Sequence, residues 1–121
     1  METVRVKERL PAIQGKTPDS KEEVWVAMAL DKLKLRYIFQ FELVSASVRG
    51  GIVIDFLVLN PFSIPIEIMG EYWHTGEMGS DDRFRQAIIE QMIGNKVVNL
   101  WTADLIDEQT TYSKVKHELR A

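Results

Sequence analysis

The spacing of apolar and polar positions changes several times along the chain, and each change predicts an element. Residues 1–19 mix charges with Pro11, Gly15 and Pro18 in no sustained period, which predicts an extended basic arm. Ser20 followed three residues later by Glu23 has the form of a capping box, and Val26, Ala27, Leu30 and Leu33 then recur at helical spacing, predicting an amphipathic helix that ends near Leu35. Arg36 to Val44 is rich in aromatic and branched residues and reads as a strand, with a tight turn at Arg49, Gly50 and Gly51. Ile52 to Leu59 is almost wholly apolar, as expected of a strand buried on both faces. Asn60 to Ser63 turns the chain into a second short buried strand, Ile64 to Met69. After a glycine-rich loop, Asp81 to Ile93 carries apolar residues at 84, 87, 88 and 92, opens on two aspartates that suit a helix dipole, and closes on Gly94. Lys96 to Trp101 is another strand, and the segment from Thr102 onward ends in a short basic helix. The order is helix, three strands, helix, strand and tail: an α/β (α+β) core over 20–106, a basic arm over 1–19 and a basic helical tail over 107–121.

Composition narrows the class. The chain has 121 residues, 45% hydrophobic and 27% charged, with no cysteine, which fits one soluble domain with a real core and excludes a disulfide scaffold. Its longest apolar run, Val24 to Leu30, falls well short of the roughly 20 residues of a membrane helix, and its first residues do not form a signal peptide, so a cytoplasmic location is expected. The net charge of −3 argues against a general nucleic-acid coat. That charge is unevenly distributed: residues 1–16 carry +2, residues 113–121 carry +2 and residues 17–112 carry −7. Glu42, Asp107 and Glu108 read as plain solvated surface.

Two acids do not. Asp55 and Glu67 each have apolar neighbours on both sides in strands expected to be buried, where an unpartnered carboxylate is costly or takes up a proton. The short turn between them makes the two strands neighbours, and a register that sets both acids on one face brings them within reach of a single cation. Two oxygen ligands with room for water and phosphate suit a hard ion such as magnesium. Either acid alone is better explained by a solvent-facing edge or by an ion pair to Arg83 or Arg49; for the two together, metal is the favoured reading. There is no cysteine, and His74 and His117 are far apart, so no rival ligand cluster is evident.

At these residues the sequence resembles the PD-(D/E)XK nuclease superfamily, and in particular small domains related to the very-short-patch mismatch-repair endonucleases. The matching features run in order over roughly residues 20 to 105: Glu23 on the first helix, Gln40, Asp55-Phe56, Glu67 to Gly70, Tyr72-Trp73-His74, Asp82-Arg83 and Leu100-Trp101. The resemblance implies a restriction-endonuclease-like αβββαβ core with a central mixed sheet flanked by helices. It implies Asp55 and Glu67 as ligands of Mg2+, with Mn2+ as a substitute and the carbonyl of Ile68 as a third ligand. Glu23 would face them from the helix, although its place in a capping box explains it without function. The lysine expected two residues after Glu67 is Met69 here, which cannot carry charge or orient a water. His74, past the glycine, is the candidate to move the proton instead, since histidine titrates near neutral pH. Arg83, Arg85 and Lys96 are candidate phosphate contacts, and Trp25 and Trp101 are assigned to the core.

The leading expectation is a magnesium-dependent DNA endonuclease. A catalytically degenerate nucleic-acid-binding or assembly module of the same fold is the alternative that Met69 favours, and a protein-interaction domain is the third reading, suggested by the acidic balance. DNA is the expected partner; a domain this small has little surface to grip a duplex, so a homodimer or a protein partner supplying specificity is also expected.

Overall fold

The computed structural model describes residues 9–45, 48–70 and 79–120. Helix α1, Lys21–Lys32, begins at the expected capping box: the Ser20 side chain accepts from the Glu23 N–H, while Glu23 Oε1 accepts from the N–H groups of Ser20 at 2.9 Å and Asp19 at 2.6 Å. It stops short of Leu35 because Lys34 turns left-handed (φ 59°) and the Leu35 N–H reaches back to the Leu30 carbonyl at 3.0 Å. Strands β1 (Tyr37–Ser45), β2 (Val48–Val58) and β3 (Ile64–Met69) form an antiparallel meander, and helix α2 (Ser80–Ile93) crosses over to β4 (Val98–Trp101), which lies parallel to β3. A short 3-10 turn, Thr102–Asp104, leads to α3, Glu108–Leu119. The architecture is α+β, a four-stranded mixed sheet flanked by helices, as expected. No helix among the described residues is long and apolar enough to cross a membrane.

The core has two parts. Val26, Ala27 and Leu30 of α1 pack with Phe39, Phe56, Val58, Ile66 and Leu100 of the sheet, and the Phe39 and Phe56 rings lie 5.0 Å apart between centroids. Ile13 from the lead-in segment and Leu105 and Val115 from the C-terminal segment join this same cluster, so both ends of the described chain contribute to the main core. The second cluster sets Ile89 of α2 and Val97 against Leu43, Ile52 and Ile54. The N-terminal segment also ties itself to β1. Gln14 Nε2 donates to the Tyr37 carbonyl at 2.7 Å, its Oε1 accepts from the Phe39 N–H at 2.8 Å, and Lys16 Nζ donates to the carbonyls of Phe39 and Gln40.

Three expectations are corrected. Gly50 and Gly51 lie inside β2 and not at the tip of the hairpin; both have positive φ, and the β1–β2 register shifts between Leu43 and Ser45, so the pair accommodates an irregularity in the ladder. A Cβ on Gly51 would stand 3.0 Å from the Leu43 carbonyl oxygen at a φ of +80°. Gly51→Ala is therefore expected to destabilise the fold by about 1–3 kcal/mol, read as a lowered urea midpoint. Trp25 is only half-buried, because it falls at helical spacing with the exposed Lys21, Met28 and Lys32 on the outward side of α1, where it lies under the Lys21 ammonium at 5.5 Å; Trp101, the last residue of β4, is half-buried too. The buried face of α2 is rotated from the expected one: Phe84, Ala87 and Met92 are exposed, while Gln86 and Ile89 are buried. The physical reason is polar, and lies in what α2 covers.

Candidate active site

The β2–β3 ladder pairs Val58 with Ile64, Leu57 with Pro65 and Phe56 with Ile66. The next step in that register sets Asp55 against Glu67. There side chains take over from the backbone: the Ile68 N–H donates to Asp55 Oδ2 at 2.8 Å, and the Asp55 N–H donates to Glu67 Oε2 at 3.3 Å. Each carboxylate thus satisfies a backbone donor of the other strand, which keeps both at the point where the strands part. On the other side of β3, Glu67 pairs with Asn99 of β4, and on the other side of β2, Gln40 falls between the pairs Phe39–Phe56 and Phe41–Ile54, opposite Asp55. One polar residue from each strand therefore stands in a row across the sheet: Gln40, Asp55, Glu67 and Asn99.

Helix α2 lies over the β3–β4 end of this row. Arg85 forms an ion pair with Glu67 through Nη1 and donates from Nη2 to the Val53 carbonyl at 2.5 Å. Gln86, its neighbour, is buried and exchanges hydrogen bonds with Asn99, donating from Nε2 at 2.6 Å and accepting at Oε1 from Asn99 Nδ2 at 3.3 Å; the same Nε2 lies 3.8 Å from the Met69 sulfur. Burying the Gln86 amide requires such a partner, and Asn99 supplies it, so the polar row turns α2 away from its apolar stripe. From the other side the N-terminus of α1 brings acid close to Asp55. Burial raises the Glu23 carboxyl above its ordinary range, opposed by its backbone hydrogen bonds, with the nearby Asp55 charge adding to the rise. Asp55 is likewise raised, first by burial, against the pull of the Ile68 N–H and of Arg85, and with a push from Asp19. The Arg85 guanidinium is lowered by burial and supported by Asp55.

Asp55, Glu67 and Ile68 thus come together, and Glu23 is close enough to Asp55 for their charges to interact. Arg85 stands among the acids as the counter-ion of Glu67, the kind of ion pair the sequence suggested for Arg83 or Arg49. Arg83 is exposed on α2, and Lys96 precedes Asn99 by three residues, about 10 Å down the sheet from the row. His74 and its neighbours Tyr72 and Trp73 lie outside the described residues. Among the described residues, no three His, Cys, Asp or Glu side chains converge on one point as a metal site. The donors of the pair are nevertheless of the kind a hard divalent cation takes: Asp55 and Glu67 are each tied to the backbone of the other's strand where β2 and β3 part, Asp19 and Glu23 add negative charge near Asp55, and one guanidinium opposes it. Asn99 and Gln86 were not singled out from the sequence. Asn99 carried a legible signal, an amide between Val98 and Leu100 in a predicted strand, whereas Gln86 had none.

No protein-family model matches the sequence, and no curated protein matches it. Among solved structures, the fold is similar to that of the Homing Endonuclease I-Bth0305I Catalytic Domain, with a TM-score of 0.54 and 18% identity, covering 82% of this chain and 93% of that chain. The protein accordingly has a nuclease-like α+β fold.

Proposed function

We propose that this protein is a metal-dependent DNA endonuclease of the PD-(D/E)XK type. The observation that carries the reading is the placement of Asp55 and Glu67 across the parting of β2 and β3, on a fold similar to a homing endonuclease catalytic domain. Asp55 and Glu67, with the backbone of Ile68 beside them, would hold Mg2+, which when bound supplies a polarised phosphoryl group, an activated water and charge relief at the leaving oxygen. Glu23 keeps its carboxylate near Asp55 by accepting the Asp19 and Ser20 N–H groups, and so reinforces the negative field that draws a cation. Gln86 and Asn99 are bonded to one another beside Met69, where the superfamily's lysine would stand, and their amides cannot carry a proton at neutral pH. In this reading the proton moves through His74, seven residues beyond Glu67 in the sequence. The partner is DNA, gripped with the help of a second copy or a protein partner.

A second reading, a non-catalytic nucleic-acid-binding or assembly module, is favoured by Met69 together with the neutralisation of Glu67 by Arg85. Incubating supercoiled plasmid with the protein separates the two. Nicked circles that form with Mg2+ or Mn2+ and are suppressed by a chelator are the expected outcome. Retention of plasmid in a gel shift, with no nicking under either ion, supports the module.

A further inference from the structure

Arg85 joins two features of the site that do not fit a merely structural ion pair. The first is an asymmetry of exposure: the Glu67 side chain is 3% exposed and held by the Asp55 N–H, whereas that of Arg85 is 34% exposed. Glu67 cannot leave, and Arg85 can turn outward, because Val53, whose carbonyl takes its second arm, is an exposed residue where water can replace the guanidinium. The second is an imbalance of charge. One guanidinium pairs with Glu67 and is close enough to Asp55 for their charges to interact, while Asp19 and Glu23 contribute more negative charge near Asp55. A monovalent cation leaves the Asp55–Glu67 pair with a net negative charge, and a divalent cation cancels it.

We propose that Arg85 is the resident counter-cation of this pair: it holds Glu67 in the metal-free protein, is displaced when a divalent cation occupies Asp55 and Glu67, and is thereby released to bind a phosphate oxygen. The inference rests on the reading of Asp55 and Glu67 as metal ligands and adds an order of events to it. Release depends on replacement, because a buried Glu67 without a cation is costly. The freed group is a planar fork suited to two phosphate oxygens, and it starts beside the carboxylates that would hold the metal. Metal binding and phosphate binding then favour one another, as linkage requires.

The test reads Arg85 itself in the wild-type protein, through the Nε–Hε resonance in a 15N correlation spectrum, assigned with Arg85→Lys. Titration with Mg2+ is expected to move this signal, and inorganic phosphate to move it further only once Mg2+ is present. In parallel, calorimetry with Mn2+ is expected to show binding tightened about tenfold in Arg85→Gln, since the ion no longer competes with a guanidinium. If Arg85→Gln fails to fold, Arg85→Lys, which keeps the charge but shortens the reach to the Val53 carbonyl, is expected to tighten binding by a smaller factor. A resonance indifferent to Mg2+, a phosphate response that does not require it, or Mn2+ binding unchanged or weakened in the variant overturns the displacement. If wild-type Mn2+ binding is lost in Asp55→Asn while Arg85 proves indifferent, the displacement alone falls. If the wild type binds no Mn2+, or binds it equally in Asp55→Asn, the metal reading falls with it.

Discussion

Asp55→Asn is expected to abolish metal-dependent DNA cleavage and, in the same protein without metal, to raise stability at neutral pH. The loss of cleavage should be on the order of a thousandfold or more, because the amide is a poor ligand for a hard cation and the reaction has no other source of comparable charge. The gain in stability follows from the direction of the titration. Burial holds the Asp55 carboxyl above its ordinary value of 3.8, so the unfolded chain gives up that proton more readily than the folded one. Folding stability is therefore favoured below the unfolded value and lost as the pH rises through the folded one, leaving the metal-free wild type handicapped at pH 7. Asparagine removes the charge and keeps an oxygen for the Ile68 N–H. A gain at pH 7 that shrinks as the pH falls toward the ordinary carboxylate range is expected in urea unfolding. Saturating Mg2+ should reverse the order, stabilising the wild type by roughly 2–3 kcal/mol at a hundredfold excess over Kd and leaving the variant unmoved. A variant that cleaves normally, or that is less stable than wild type at pH 7 without metal, contradicts this assignment.

Glu67→Ala should abolish cleavage to a similar degree but change stability in the opposite direction. Its carboxylate is the partner of Arg85 and the acceptor of the Asp55 N–H, so its removal leaves a half-buried guanidinium and a backbone donor unmatched. Breaking a fully buried pair costs about 3–5 kcal/mol; with a third of the Arg85 side chain already in solvent, about 2 kcal/mol is expected here. The double variant with Arg85→Gln should be less destabilised than the two single changes predict, because each single change strands the partner that the other removes. Strict additivity in the unfolding midpoints would show that the two side chains do not support one another.

The contrast between these two acids bears on what the sequence could reveal. The capping box at Ser20 and Glu23, the three strands, the αL glycine after α2 and the adjacency of Asp55 and Glu67 all depend on local chemistry or on a short turn, and each was readable from neighbouring residues. The side that α2 presents was not. Its apolar residues at 84, 87, 88 and 92 describe a stripe, but the helix is oriented by Arg85 and Gln86, which meet residues 18 and 13 positions away on β3 and β4. A tertiary bond between polar groups outweighed an amphipathic period, and a single sequence carries no record of such a partner. Arg85 shows the same limit: its charge was visible, but whether it faced phosphate or carboxylate depended on the parallel placement of β4 beside β3. Gly50 and Gly51 were read as a tight turn and lie instead inside β2, because a bulge within a strand and a tight turn draw on the same conformational freedom.

The ties from Gln14 and Lys16 to β1 bear on how this sheet can meet another molecule. They occupy the outward carbonyls of Tyr37, Phe39 and Gln40 and the outward N–H of Phe39, the groups an incoming strand would need for pairing. Where its donors and acceptors are already taken an edge cannot template a neighbour, so the ties shield residues 37–40 of β1 against strand addition and reach no further along the strand. A continuous sheet shared with a second copy is thereby confined to residues 41–45 of β1 or to the four-residue β4.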